Sequence, residues 1–127
     1  MHQPKTISLS ERVCLKMAGA RLFRELRGVR LSYEKQGLIY FTCMNYRKQS
    51  EEVKQKITDL CGEVCRTCGT DAELYYKALF ELLTNPYMTA EGVVIKYFVS
   101  DKQLYNLRRS FYEKWSGTSI TQNPTRL

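Results

Sequence analysis

Residues 100–114 are rich in amide, hydroxyl and cationic side chains, at spacings that would put many of them on the surface of one helix. Leu104, Leu107 and Phe111 recur three and four residues apart, which predicts that they face the core. Arg and Lys can pair with guanine or a phosphate, and Gln and Asn can read adenine, so these residue types suit the major groove of DNA. The positions left exposed would be Asp101, Lys102, Gln103, Tyr105, Asn106, Arg108 and Arg109.

Two kinds of DNA contact follow from these residue types. Cations mainly neutralise phosphates, whereas amide and phenol groups can reach base edges. Ser100 joins the set because it caps the helix, whose N-terminus favours a phosphate. For Tyr105 a partly exposed packing role is an equal alternative. The expected phosphate contacts are Lys102, Arg108, Arg109 and Lys114. The expected base contacts are Gln103, Tyr105 and Asn106.

The helix that begins after Ser100 follows a shorter one, and the pair has the pattern of a helix-turn-helix. Thr89 can cap the first helix as Ser100 caps the second. Phe98 stands in the turn where Gly is usual, and Val94 stands where the first helix usually has Ala. Because a bulky residue is strained at positive φ, we expect the turn to open differently, without the positive-φ backbone that Gly usually adopts at this position. The apolar positions of the motif are occupied by Val93, Tyr97, Val99, Leu104 and Leu107.

Enzyme chemistry has little support in this chain. His2 is the only histidine, so a nucleophile activated by histidine is not expected. The glycines are too widely spaced for a phosphate-binding loop. We therefore predict that the protein is not an enzyme and needs no cofactor.

The cysteines have metal-like spacing at one place, Cys65-Arg66-Thr67-Cys68. A structural zinc site needs four ligands, usually as two such pairs, and here Cys14 and Cys43 stand alone. Cys61, Cys65 and Cys68 also fall on the apolar stripe of a predicted helix. We therefore predict buried core thiols and no metal site.

Other elements are predicted from caps and stops. A capping box at Ser8 and the stop at Gly28 indicate a basic helix over 9–27. Ser50 begins the clearest helix, which should end at Gly69. A capping box at Thr70 starts the next helix, which ends at 84–85 because Pro86 follows.

Residues 29–49 are ambiguous, because their strand formers would allow a β-hairpin around 29–44. A lone hairpin lacks a partner sheet, so a buried helix over 33–47 is favoured. The fold class is then all-α, a small multi-helix domain with a C-terminal helix-turn-helix. Residues 1–115 form one domain, 72–115 are its helix-turn-helix part, and 116–127 are a disordered tail.

The chain carries a net charge of +7, with the excess of Lys and Arg in residues 1–48 and 88–127. Such basic ends fit an anionic partner, most commonly nucleic acid, and a solvated surface that is basic by chance is an equal alternative. No apolar run approaches the length of a membrane span, and the N-terminus lacks an apolar signal core. We expect a cytoplasmic protein without membrane contact.

One stretch of the chain resembles small helix-turn-helix proteins of phages and mobile elements in Gram-positive bacteria. It reads Tyr97-Phe98-Val99-Ser100-Asp101-Lys102-Gln103-Leu104-Tyr105-Asn106-Leu107-Arg108-Arg109. The nearest comparison is the late-gene and autolysin regulators of the ArpU/RinA type, which are similar to the DNA-binding part of sigma factors (region four). The resemblance covers about 53–115. It implies sequence-specific transcription regulation, with 100–112 as the recognition helix. Double-stranded DNA is the expected partner, and RNA polymerase and a homodimer are further candidates.

Two alternatives share these features. An αα-hairpin inside a helical bundle would give the same apolar pattern with a basic outer face. The protein would then be a structural or interaction protein, with the basic N-terminal helix and the aromatic cluster at 38–44 as its interface. A DNA-packaging accessory protein without a gene-regulatory role would also use the motif, and would form large rings.

Overall fold

A computed structural model describes residues 23–118, and in that range it shows helices and no strand. The all-α expectation is confirmed for this part of the chain. None of the helices it describes is long and apolar enough to cross a membrane. The α-helices are α1 (Tyr33–Met44), α2 (Glu51–Cys65), α3 (Ala72–Thr84), α4 (Ala90–Tyr97) and α5 (Asp101–Thr118). Short 3-10 helices span Tyr46–Lys48 and Arg66–Asp71.

The ambiguous region forms α1 rather than a β-hairpin. The Ser32 hydroxyl accepts a hydrogen bond from the Lys35 amide at 3.1 Å and caps the helix. Ile39 and Cys43, four residues apart, are almost fully buried against the rest of the domain. Burial of this helical face outweighs the strand preference of the local sequence. The helix ends at Met44, earlier than predicted, and continues only as the 3-10 helix Tyr46–Lys48.

The predicted helix over 9–27 is wrong at its C-terminal end. Residues 23–27 are irregular, because the backbone amide of Leu26 is held by the Gln36 side chain instead of a helical carbonyl. Residues 9–22 lie outside the described residues. At the other end of the chain, α5 continues to Thr118, past the boundary predicted after Trp115, and the rest of the predicted tail lies outside the described residues.

The predicted junction between α2 and α3 needs two corrections. The Ser50 cap is confirmed, since its hydroxyl accepts from the Val53 amide at 3.3 Å. The α-helix ends at Cys65 and tightens into the 3-10 segment Arg66–Asp71, in which the helical backbone breaks at Gly69 (φ 63°, ψ −125°), the residue predicted as the stop. Thr70 lies inside that 3-10 helix and therefore lacks the extended backbone of a capping residue. Asp71 takes the cap position of α3 without a side-chain hydrogen bond.

The α3 helix is the centre of the domain, because α1, α2, α4 and α5 all pack against it. Ala78, Leu79 and Leu82 on α3 are fully buried. Each large side chain buried in this way contributes about 1.5–3 kcal/mol of transfer free energy. The other members of this core with no exposed surface are Ile57, Cys61, Val93, Leu104 and Phe111.

Candidate nucleic-acid interface

Two capped helices meet at a three-residue turn on one side of α3. The Thr89 hydroxyl accepts from the Gly92 amide at 3.0 Å and begins α4. The Ser100 hydroxyl accepts from the Gln103 amide at 3.2 Å and begins α5. Both caps are therefore confirmed. Of the five apolar positions predicted for the motif, four are buried: Val93, Val99, Leu104 and Leu107.

The turn at Phe98 contradicts the expectation that it would open differently. Phe98 adopts φ 55° and ψ 48°, the left-handed conformation in which glycine is usual. The amides of Phe98 and Val99 both donate to the carbonyl of Val94, which closes the end of α4. The side chain of Phe98 is 90% exposed, so packing does not offset the steric cost of about 1–2 kcal/mol.

Glu81 on α3 fixes the C-terminal end of α4. Its carboxylate accepts hydrogen bonds from the Tyr97 hydroxyl at 2.6 Å and from Lys96 Nζ at 2.9 Å. Asn85 Nδ2 donates a third bond at 3.2 Å. Burial alone would raise the pKa of Glu81, but these donors hold the pKa below its usual value. Tyr97 is therefore half-buried at the edge of the core rather than inside it.

The start of α5 is fixed separately. The backbone amide of Ser100 donates to the Tyr75 hydroxyl at 2.9 Å, which joins the turn to the first turn of α3. Contacts to α3 at both ends of the turn determine the angle between α4 and α5. The surface that α5 presents is therefore set by the domain and not by α5 alone.

A stripe of polar side chains runs along one face of α5, at positions spaced by four, three and four residues: Lys102, Asn106, Arg109 and Glu113. We call it the outer stripe. Lys102 and Asn106 are exposed as predicted, whereas Arg109, also expected to be exposed, is half-buried because the chain at Gly28 packs against it. The guanidinium of Arg109 donates to Oδ1 of the Asn106 side chain. The structure thus brings together three of the side chains expected to contact DNA.

Gln103 and Ser100 lie beside this stripe, in more constrained positions than predicted. Gln103 was expected to be exposed, but it is half-buried, and its Nε2 donates to Cys68 Sγ at 3.4 Å. The 3-10 helix that carries Cys68 therefore holds this amide away from the outer stripe. Ser100 is exposed, with its hydroxyl used by the cap of α5.

Tyr105, Arg108 and Lys114 point in other directions. Tyr105 and Arg108 are half-buried, contrary to the exposure predicted for them, and the guanidinium carbon of Arg108 lies 5.2 Å from the centre of the Tyr105 ring. The reason is that residues from α1, α4 and the chain before α1 surround this flank of α5. Lys114 forms an ion pair with Glu63 on α2, at 3.3 Å.

A basic segment next to the outer stripe is a part of the site that the sequence does not reveal. Residues 23–31, here called the arginine loop, carry exposed Arg24, Arg27 and Arg30. The Arg30 amide donates to Glu113 Oε2 at 3.3 Å, so the loop lies beside the C-terminal half of the outer stripe. Gly28 signals the end of a helix in the sequence, but no local signal shows where the loop packs.

Three of the four cysteines of the described residues are core side chains as predicted, whereas Cys68 is half-buried at the edge of the core. Cys43, Cys61 and Cys65 are buried, and burial raises their pKa values, for Cys65 to about 12. Such thiols stay protonated and unreactive. No cluster of His, Cys, Asp and Glu that could hold a metal ion occurs within residues 23–118.

A second concave surface lies away from α5. It is a groove of about 850 Å³ between the first 3-10 helix and α3, and none of its lining residues belongs to α5. Three cations, Arg47, Lys48 and Lys77, line it. Its aromatic lining is formed by Tyr46, Tyr76, Phe80, Tyr87 and Tyr97.

Comparison with models of protein families, with curated proteins and with solved structures finds no match for this chain.

Proposed function

We propose that this protein binds double-stranded DNA, with α3, α4 and α5 forming a helix-turn-helix unit and α5 entering the major groove. The observation that carries the proposal is the pairing of two capped helices through a left-handed turn, the second of which carries exposed Lys102 and Asn106 beside half-buried Arg109. A helix of this kind can reach base edges while its neighbours contact phosphates.

The outer stripe divides the contacts by chemistry. Lys102 and Arg109 would neutralise phosphates, and Asn106 would read a base edge, with adenine the best match for its amide. Ser100 would set the start of α5 against the backbone. Gln103 would reach a base only after its amide leaves Cys68, and Tyr105 only after its ring leaves Arg108. Gln103 and Tyr105 would therefore make flanking contacts. Arg108 and Lys114 would contribute to the positive field more than to single phosphates.

The biological role that fits this unit best is a small transcriptional regulator of the phage or mobile-element type. Support comes from the motif and from the net charge of +7. A homodimer on paired half-sites and contact with RNA polymerase belong to this proposal. A packaging accessory protein would bind DNA without sequence preference, so selection on random duplex DNA separates the two roles.

Substitutions on the outer stripe test DNA binding directly. Lys102→Ala and Arg109→Ala should each weaken binding to every duplex and lower the salt slope by about 0.9 for every phosphate that is no longer neutralised. Asn106→Ala should relax base preference at one position, at a cost of about 1–3 kcal/mol on the preferred site. The matched control is Lys48→Ala, which removes a cation from the groove that lacks α5 residues. Equal effects of the control and of Arg109→Ala would contradict the proposal.

An interaction protein is the second candidate, and exposed apolar side chains favour it. Ile95 is 71% exposed and Phe98 90% exposed, and they are three residues apart in the chain, at the end of α4 and in the turn after it. Exposed apolar groups that lie together often mark protein contacts. If the chain fails to bind DNA but self-associates, and Ile95→Ser abolishes the association in sedimentation experiments, this second function is correct.

A further inference from the structure

Building on the proposed DNA binding, we propose that the arginine loop is a second phosphate-binding element beside α5, and that buried Gln36 positions it. The loop would contact the DNA backbone that flanks the groove entered by α5. Gln36 would act through the loop and would not touch DNA.

Gln36 on α1 holds the loop at two points, in its middle and at its C-terminal end. Its side chain has no exposed surface, which is unusual for a glutamine. Its Oε1 accepts from the Leu26 amide at 2.8 Å, and its Nε2 donates to the Leu31 carbonyl at 3.2 Å. A buried amide is tolerated only when its donor and acceptor are paired, so Gln36 and the loop depend on each other.

The loop lies alongside the outer stripe of α5. Gly28 has φ +78°, and a β-carbon at this position would lie 3.6 Å from Cδ of Arg109. Two residues later the Arg30 amide contacts Glu113. The loop therefore borders the second half of the stripe and leaves its first half, with Lys102 and Asn106, open. The open half is the part of α5 able to enter a groove.

The charges of the loop match a phosphate backbone. Arg24, Arg27 and Arg30 are exposed, and within residues 23–118 none of them forms an ion pair. A planar guanidinium pairs well with phosphate oxygens. Glu25 is the one carboxylate of the loop, so the loop stays strongly cationic.

The loop also reaches the beginning of α4. Arg24 lines a hollow of about 520 Å³ together with Thr89 and Ala90 at the start of α4 and Tyr105 on α5. Glu91 lies at the same hollow and reduces its positive potential. The loop thus extends from the hollow at the start of α4, at Arg24, to Glu113 on α5, at Arg30. This arrangement would direct one row of cations along a DNA strand.

The salt dependence of DNA binding tests the loop. Anisotropy titrations of the full chain with a short mixed-sequence duplex, over a range of salt concentrations, give the slope of log K. The triple change Arg24→Ala, Arg27→Ala and Arg30→Ala should leave about two to three phosphates without a cation and lower the slope by about 0.9 for each. The matched control is Arg47→Ala, Lys48→Ala and Lys77→Ala, which removes the same charge from the other groove. The control should lower the slope by less than the value for a single phosphate.

Gln36→Leu tests positioning without changing charge. It removes both hydrogen bonds, so the loop should be cleaved faster by trypsin at its arginines, and DNA affinity should fall roughly tenfold. Circular dichroism should remain helical.

The measurements distinguish a failure of the loop proposal from a failure of the proposed DNA binding. If the loop triple and the control triple have the same slope, the loop proposal is overturned and DNA binding stands. Unchanged affinity in Gln36→Leu despite faster cleavage overturns the positioning role. If the unmodified chain shows no salt-dependent binding to any duplex, both proposals are overturned.

Discussion

Phe98 shows how one residue can hold a conformation that it does not favour. Its left-handed backbone completes the end of α4, and its ring lies in solvent. The conformation persists because the Val94 carbonyl accepts hydrogen bonds from the amides of Phe98 and Val99. The Ser100 amide, in addition, donates to the Tyr75 hydroxyl. The surrounding contacts over-determine the turn and impose the strain on Phe98.

Phe98→Gly should therefore stabilise the domain. Removing the β-carbon relieves the left-handed strain, and we expect a gain of about 1 kcal/mol and a higher melting temperature. Thermal unfolding followed by circular dichroism measures it. Phe98→Ala keeps the β-carbon and serves as the control, with a smaller change expected. A lower melting temperature for Phe98→Gly would show that the exposed ring has a packing role.

Glu81 is the residue through which pH should affect stability. Hydrogen bonds from Tyr97 and Lys96 keep the pKa of its folded form below the usual value despite burial, whereas the unfolded chain takes up a proton at about 4.3. A depressed pKa stabilises the fold above the unfolded pKa and loses that effect as pH falls through the folded value. Urea unfolding of wild type and Glu81→Gln should differ at neutral pH and converge in acid. A difference that is constant with pH would contradict this role.

At the scale of elements, the caps define where α4 and α5 begin. Thr89 and Ser100 each bond the amide three residues ahead, at 3.0 and 3.2 Å. Such caps satisfy donors that a helix cannot satisfy itself. The second cap also lies where α5 meets the proposed DNA surface, so the two caps differ in their expected effect on binding.

Ser100→Ala should cost about 1 kcal/mol in stability and should also weaken DNA binding, because it loosens the first turn of α5. Thr89→Ala is the matched control, with a similar stability loss and a smaller effect on affinity. Urea unfolding and duplex titrations of the two variants provide the comparison. If both variants lose affinity equally, the start of α5 has no special role.

At the scale of the whole molecule, α3 connects the other α-helices of the described residues. It packs on α1, α2, α4 and α5, so the proposed DNA surface and the Gln36 side chain that holds the arginine loop share one core. The arginine loop and α5 meet through residues 83 positions apart in the chain, at Arg30 and Glu113. A perturbation of α3 should therefore affect both surfaces together.

Leu82→Ala tests this dependence. Leu82 is fully buried on α3, and truncation should cost about 2–5 kcal/mol. We expect one cooperative urea transition at lower denaturant, with DNA binding and helicity disappearing together. The control Ile57→Val, at a buried site on α2, should cost only about 0.5–1.5 kcal/mol. A second transition in Leu82→Ala would indicate that the helix-turn-helix part folds separately.

The sequence by itself determined the features that are encoded over three or four neighbouring residues. Ser50, Thr89 and Ser100 cap helices as predicted, and α3 ends just before Pro86, also as predicted. Most members of the apolar stripes are buried for the same reason, since helical periodicity selects the buried face, but Tyr97 and Cys68 are only half-buried. Exposure was only partly readable: Asp101, Lys102 and Asn106 are exposed as predicted, but tertiary contacts half-bury the other four positions left over by the apolar pattern, Gln103, Tyr105, Arg108 and Arg109.

Only the tertiary structure decided the features that depend on contacts between distant residues. The irregular loop at 23–31 follows from Gln36, and the direction of Gln103 follows from Cys68, 35 positions earlier. The left-handed turn at Phe98 contradicted its local preference because contacts with α3 outweigh about 1–2 kcal/mol of strain. Local signals place the helices, whereas the free energy of packing decides which side chains meet and which stay exposed.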